Sequence, residues 1–128
     1  MFSHIVLGSN DIAASQAFYD ATLGALGVPA GVIDDRGRVV YAQDGGRLLI
    51  TAPVDGRAAT YANGGTTGFA AASPAQADAW HAAGIAHGGT TCEDPPGVRR
   101  LADGRVLYLA YLRNPAGNKL CALHRMAS

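Results

Sequence analysis

Residues 105–124, RVLYLAYLRNPAGNKLCALH, form two nearly continuous apolar runs around a short polar stretch. Asn114, Pro115, Ala116, Gly117 and Asn118 carry turn chemistry, since Pro fixes φ while Gly and Asn tolerate positive φ. The pattern predicts a β-hairpin with strands over 106–112 and 120–123. Runs this apolar belong to strands covered on both faces. A helix can cover one face. The other must meet more protein or a ligand, and what the chain does depends on which.

Upstream of the hairpin the chain reads as one pattern used twice. Residues 3–7 (SHIVL) suit a strand, and Asn10 or Asp11 can cap a helix that runs to Leu26 with Ile12, Phe18, Ala21 or Thr22 and Leu26 near helical spacing. Three short strands follow over 28–33, 38–42 and 47–52, separated by the turns DDRG and QDGG. Residues 53–65, PVDGRAATYANGG, read as a connector. The order then recurs: a strand over 66–71, a Ser73 cap with Pro74 at the first helical position, and a helix to Ala86 with Ala79, Trp80 and Ala83 on one stripe. A short strand over 90–93, a long loop over 94–104 with Pro95 and Pro96, and the hairpin complete the second half. Phe18-Tyr19 corresponds to Trp80-His81 at an offset of 62, and GGRLL at 45–49 corresponds to GNKLC at 117–121 at an offset of 72. Two βαβββ modules related by pseudo-symmetry are therefore predicted, over about 1–53 and 66–128 of a single domain.

Charge and composition remove several classes of function. Ten basic residues balance ten acidic ones with no basic run, which leaves nothing to neutralise nucleic-acid phosphates. No apolar segment approaches the roughly 20 residues that span a bilayer, and the N-terminus lacks the basic start, apolar stretch and cleavage site of a signal peptide. The chain therefore reads as cytoplasmic, without a membrane partner. Cys92 and Cys121 have no CxxC spacing and are read as reduced thiols. A small-molecule ligand is the expected partner.

The stretches SHIVLGSNDIAASQAFYDATLGALG, GFAAASPAQADAWHAAG and YLAYLRNPAGNKLCALHR resemble the glyoxalase, bleomycin-resistance and extradiol-dioxygenase superfamily, the vicinal oxygen chelate proteins. The resemblance implies an α+β fold in which two βαβββ modules, one helix each and eight strands in all, form a cupped, partly closed mixed β-sheet. It also implies that a second chain completes the cups, so a homodimer is expected, and that enzymatic members hold a divalent metal at the cup floor. Lactoylglutathione lyase, fosfomycin-thiol transfer, ring-cleaving dioxygenation and antibiotic sequestration all occur on this fold, which does not by itself select one.

Carried onto this chain by the two offsets, the four metal positions fall on His4, Leu49, Thr66 and Cys121. Relatives that bind metal carry carboxylate, amide or imidazole groups at these positions, whereas an aliphatic chain and a hydroxyl fill two of them here. A Lewis-acid metal needs three good ligands and an open position, so no metal and no other cofactor is expected; an ion held by His4 and Cys121 would be a soft one. The expected ligand-binding set is His4, Leu49, Thr66, Tyr111 and Cys121, with Tyr108 replacing Tyr111 if the hairpin register differs. No catalytic residue is assigned. Cys121 in an apolar strand is expected to be buried with a raised pKa, and His81 and His87 to lie on the solvent side of the second helix. His124 should face away from Cys121 and Leu123. Cys92, Glu93, Asp94, Arg99 and Arg100 are either a solvated loop or the border of a pocket mouth for an anionic ligand. The expected function is metal-free small-molecule binding. The alternatives are a glyoxalase-like metal-dependent lyase, a thiol-conjugating or dioxygenase-like enzyme, and an interaction module with a vestigial cup.

Overall fold

The two helices begin 62 residues apart and are capped alike. In the computed structural model, which describes residues 1–127, the Asp11 side chain accepts from Ala14 N at the start of α1 (Ile12–Ala25). Ser73 accepts from Gln76 N at the start of α2 (Pro74–Ala86), with Pro74 in the first turn. These caps satisfy amides that the first helical turn leaves free. Asn10, the other cap considered, instead makes two bonds with Ala59 of the connector, donating to its carbonyl at 3.0 Å and accepting from its amide at 2.6 Å.

Each module forms its own mixed sheet. β1 (His4–Gly8), β2 (Val32–Ile33), β3 (Val39–Gln43) and β4 (Gly46–Thr51) assemble in the order β1-β4-β3-β2, with β1 parallel to β4. β5 (Thr67–Ala70), β6 (Thr90–Thr91), β8 (Val106–Arg113) and β9 (Lys119–Met126) assemble as β5-β9-β8-β6, and β7 (Gly97–Arg100) also pairs with β8. Val6 pairs with Leu49 and Gly68 with Cys121, which reproduces both sequence offsets in strand register. The symmetry extends to single bonds: Ser9 N donates to Thr51 O and Ala71 N to Leu123 O, both at 2.8 Å.

Two expectations change. Among the described residues there are nine strands rather than eight, because residues 97–100 of the presumed loop pair antiparallel with Val106–Leu109. β6 and β7 lie along the same edge of β8, so they are one edge strand of the repeat, broken where Glu93 takes φ 55°. The α+β fold of two modules is as expected, its strands forming mixed sheets of four and five strands that are not closed, with no hydrogen-bonded pairing between them among the described residues. Finally, α2 buries Ala77, Trp80 and Gly84 rather than Ala79 and Ala83: Ala79 is exposed and Ala83 only half-buried.

One core joins the modules. Phe18, Tyr19 and Leu23 of α1 and Trp80 of α2 pack with Val39, Tyr41, Leu48 and Ile50 of the first sheet and Ala110, Leu112, Leu120 and Ala122 of the second. The inner faces of both sheets thus rest on the helix pair. Because strand residues alternate between faces, Leu49 and Cys121 point to the outer faces.

Candidate functional site

The outer face of the first sheet carries an apolar row across all four strands, Val6–Leu49–Val40–Val32, set by successive strand registers. Val6 and Val32 are exposed while Leu49 is buried between its neighbours. His4 lies two residues before Val6 on the same face of β1. It is exposed, and its Nδ1 sits 2.8 Å from the Ser3 hydroxyl.

The equivalent row on the second sheet is chemically different. Gly68 pairs with Cys121, and Cys121 with Tyr111. Cys92 follows directly on β6, whose last pair is Thr91 with Leu112. Lys119, two residues before Cys121, lies with its ammonium 5.9 Å from the Tyr111 ring centroid, within cation–π range, and donates to the Glu93 carboxylate. Arg113 donates to Gly117 O at 2.7 Å and lies 5.7 Å from the Tyr61 ring centroid. Burial pushes the Cys121 thiol above its ordinary pKa, and the Tyr111 hydroxyl and Ala110 backbone only partly offset this. Burial likewise raises Cys92, and it raises Tyr111, with Cys121 adding to the latter. Neither thiol is therefore activated for nucleophilic attack.

The hairpin register resolves the choice between the tyrosines. Tyr111 is on the outer face opposite Cys121, whereas Tyr108 lies on the helix side and donates to Asp78 at 2.7 Å. His124 also faces inward, its Nδ1 3.0 Å from Ala71 O. His87 is exposed, as expected, whereas His81 is half-buried, and desolvation holds its pKa below the usual imidazole value. The arginines of β7 separate: Arg99, paired with Leu107, shares the Tyr111 face and donates to Pro95 O, while Arg100 alternates to the other.

The five expected ligand-binding positions do not meet within one chain. His4 and Leu49 belong to the first sheet, Tyr111 and Cys121 to the second, and exposed Thr66 immediately precedes β5. The donor set does not suit a catalytic metal. Leu49 has no donor atom, His4 and Cys121 lie on separate sheets, and no three His, Cys, Asp or Glu side chains among the described residues gather where they could hold an ion. A cavity of about 330 Å³ lies instead at the junction of the modules, and none of the five residues lines it. Lys119, Val6 and Val40 lie outside the sequence-based set, whereas Glu93 belongs to it as a possible border of the pocket mouth; once the registers are known, pairing with Leu49 points to Val6 and Val40, and alternation from Cys121 points to Lys119. The cavity has no such local signal.

No family model matches the chain, and no curated protein does. Among solved structures it is similar to a glyoxalase/bleomycin resistance protein from Albidiferax ferrireducens T118, at 58% identity over 97% of this chain and 98% of that one, with a TM-score of 0.92. A lactoylglutathione lyase from Agrobacterium tumefaciens shares 22% identity over 97% of this chain and 92% of that one, with a TM-score of 0.64. A glyoxalase/bleomycin resistance protein/dioxygenase family enzyme from Burkholderia phytofirmans PsJN shares 16% identity over 97% and 98% of the two chains, with a TM-score of 0.72. The last two are similar in fold alone.

Proposed function

As the chain belongs to the glyoxalase/bleomycin resistance protein family, we propose that it binds a partly apolar small molecule on the outer faces of its sheets, without metal chemistry. The observation that carries this reading is the pairing of an apolar row, Val6–Leu49–Val40–Val32, with a row that offers Tyr111 and the Cys121 thiol. The first supplies apolar contact area and the second an aromatic surface with a polar end, the usual division of labour in a small-molecule site. Each row is open in a single chain.

A homodimer would close them. β1 and β5 are edge strands with one paired side each, and exposed Phe2 and Val6 lie beside or on the β1 edge. Setting the first sheet of one copy beside the second sheet of another covers those edges and brings the two kinds of row to one cup. His4 and Leu49 of one chain would then sit with Thr66, Tyr111 and Cys121 of the second copy. Sedimentation equilibrium and titration with 8-anilinonaphthalene-1-sulfonate test this together. The expected outcome is a dimer with saturable dye binding that Leu49→Lys weakens by about tenfold, the equivalent of ~1.4 kcal/mol. A monomer, or a Leu49→Lys variant that binds dye as the parent does, contradicts the reading.

A further inference from the structure

The zero net charge of the chain conceals an uneven distribution. All ten acidic residues lie in helices, turns and loops, whereas six of the ten basic residues, Arg47, Arg99, Arg100, Arg113, Lys119 and Arg125, lie in strands. Alternation puts each of the six except Arg100 on an outer face, four of them on the second sheet. The registers order that face. Its middle band, the rows Gly97–Leu109–Leu123–Ala70 and Tyr111–Cys121–Gly68, is apolar apart from a phenol and a thiol. The row Arg99–Leu107–Arg125 bounds the band at one end, and Arg113 with Lys119 bounds it at the other.

Two of these cations turn into the band. Arg99 Nη2 donates to Pro95 O at 2.7 Å, four residues back along the chain, and Nη1 lies 3.2 Å from where a Cβ on Gly97 would be. Since Gly97 pairs with Leu109, the guanidinium reaches from the Leu107 row towards Tyr111. From the opposite end the Lys119 ammonium comes within 5.9 Å of the Tyr111 ring centroid. Burial raises the pKa of both Tyr111 and Cys121, and the Arg99 charge works against the rise at each, as a cation near both groups does. Among the described residues Arg99 has no carboxylate partner: the Pro95 and Val98 carbonyls take two of its donors and leave the others unused. Glu93 is already held by Lys119.

We propose that the outer-face site takes an organic carboxylate, its charged end on Arg99 beside Tyr111 and its apolar part on Leu109 and Leu123. This rests on the outer-face reading and adds to it the charge of the ligand. A planar carboxylate matches the guanidinium fork, and the other strand cations favour the approach of an anion. An ammonium would face Arg99 and Lys119 with only Glu93 to offset them, and a neutral amide would leave the guanidinium without an anion.

The test is a ¹H–¹⁵N titration of the intact chain with 3-phenylpropanoate, its neutral amide 3-phenylpropanamide and the cation 3-phenylpropylamine, at low and at high salt. Saturable shifts are expected at residues 97–99, 109–111 and 119–123 with the carboxylate, which should bind about tenfold tighter than the amide, with the cation weakest. Added salt should weaken the carboxylate and leave the amide unmoved. Arg99→Gln should reduce the carboxylate to the affinity of the amide without changing the amide, and Arg99→Lys should recover part of the loss. Arg100→Gln, on the opposite face, should change neither. A carboxylate bound no tighter than the amide, or an advantage that survives Arg99→Gln, overturns the proposal, while a dimer with Leu49-dependent dye binding would still support the outer-face reading. No outer-face shifts with any probe also overturns it, and the dye titration then decides whether the outer-face reading falls as well.

Discussion

Tyr19 and Asn114 tie the two modules together through one buried hydrogen bond. The Asn114 amide donates to the Tyr19 hydroxyl at 2.7 Å, and its side-chain oxygen accepts from Asn118 N at 2.9 Å, which holds the β8–β9 turn against α1. Both partners are buried. Tyr19→Phe leaves the Asn114 amide buried without that acceptor and is expected to lower stability by ~1–3 kcal/mol, read as a reduced urea midpoint. Burial raises the phenols of Tyr19 and Tyr41 well above their ordinary values, and for Tyr41 the Asp20 carboxylate it donates to raises it further. The sign follows from linkage. Below about pH 10 both states keep these protons; above it the unfolded chain releases them and the folded chain does not, so stability falls as pH rises. Urea midpoints measured from pH 8 to 11 should decline above about 10, and the decline should be shallower in Tyr41→Phe.

At the scale of elements, two helical glycines should respond oppositely to the same substitution. A Cβ at Gly84 would lie 2.2 Å from Leu112 Cδ1 and 3.3 Å from its Cγ, and Leu112 is fully buried, so the glycine is what lets α2 approach β8. Gly84→Ala should cost ~1–3 kcal/mol by overpacking. At Gly24 in α1 a Cβ meets nothing within 4 Å, and Gly24→Ala should stabilise by up to ~1 kcal/mol through helix propensity. Chemical denaturation of the two variants separates these effects. The elements that could be read in the sequence are those with local signals: the Asp11 and Ser73 caps, the NPAGN turn, the apolar hairpin. β7 could not be read in this way, since Pro95, Pro96, Arg99 and Arg100 look like a loop and its strand character comes from pairing Val98 with Tyr108, a partner supplied by the fold. Ala77 replaced Ala79 on the buried stripe of α2 because an alanine-rich helix has no strong apolar side, and packing around Trp80 decides its rotation.

At the scale of the molecule, repeat offsets located equivalent positions but not their meeting place. Leu49 and Cys121 do occupy matching outer-face positions, as their pairings with Val6 and Gly68 show. Their two sheets, however, are joined through the helices and not through strand pairing, a relation between modules that no local pattern encodes. The same gap hid the junction cavity, whose walls come from residues far apart in sequence.

The claim on which the functional reading turns is that the family's metal positions, His4, Leu49, Thr66 and Cys121, no longer form a chelating set. Elemental analysis of untagged protein exposed to zinc, nickel, manganese and iron tests it most directly. Substoichiometric metal is expected, unchanged in His4→Ala. One tightly held ion per chain that is lost in His4→Ala would contradict the account and favour a metal-dependent enzyme.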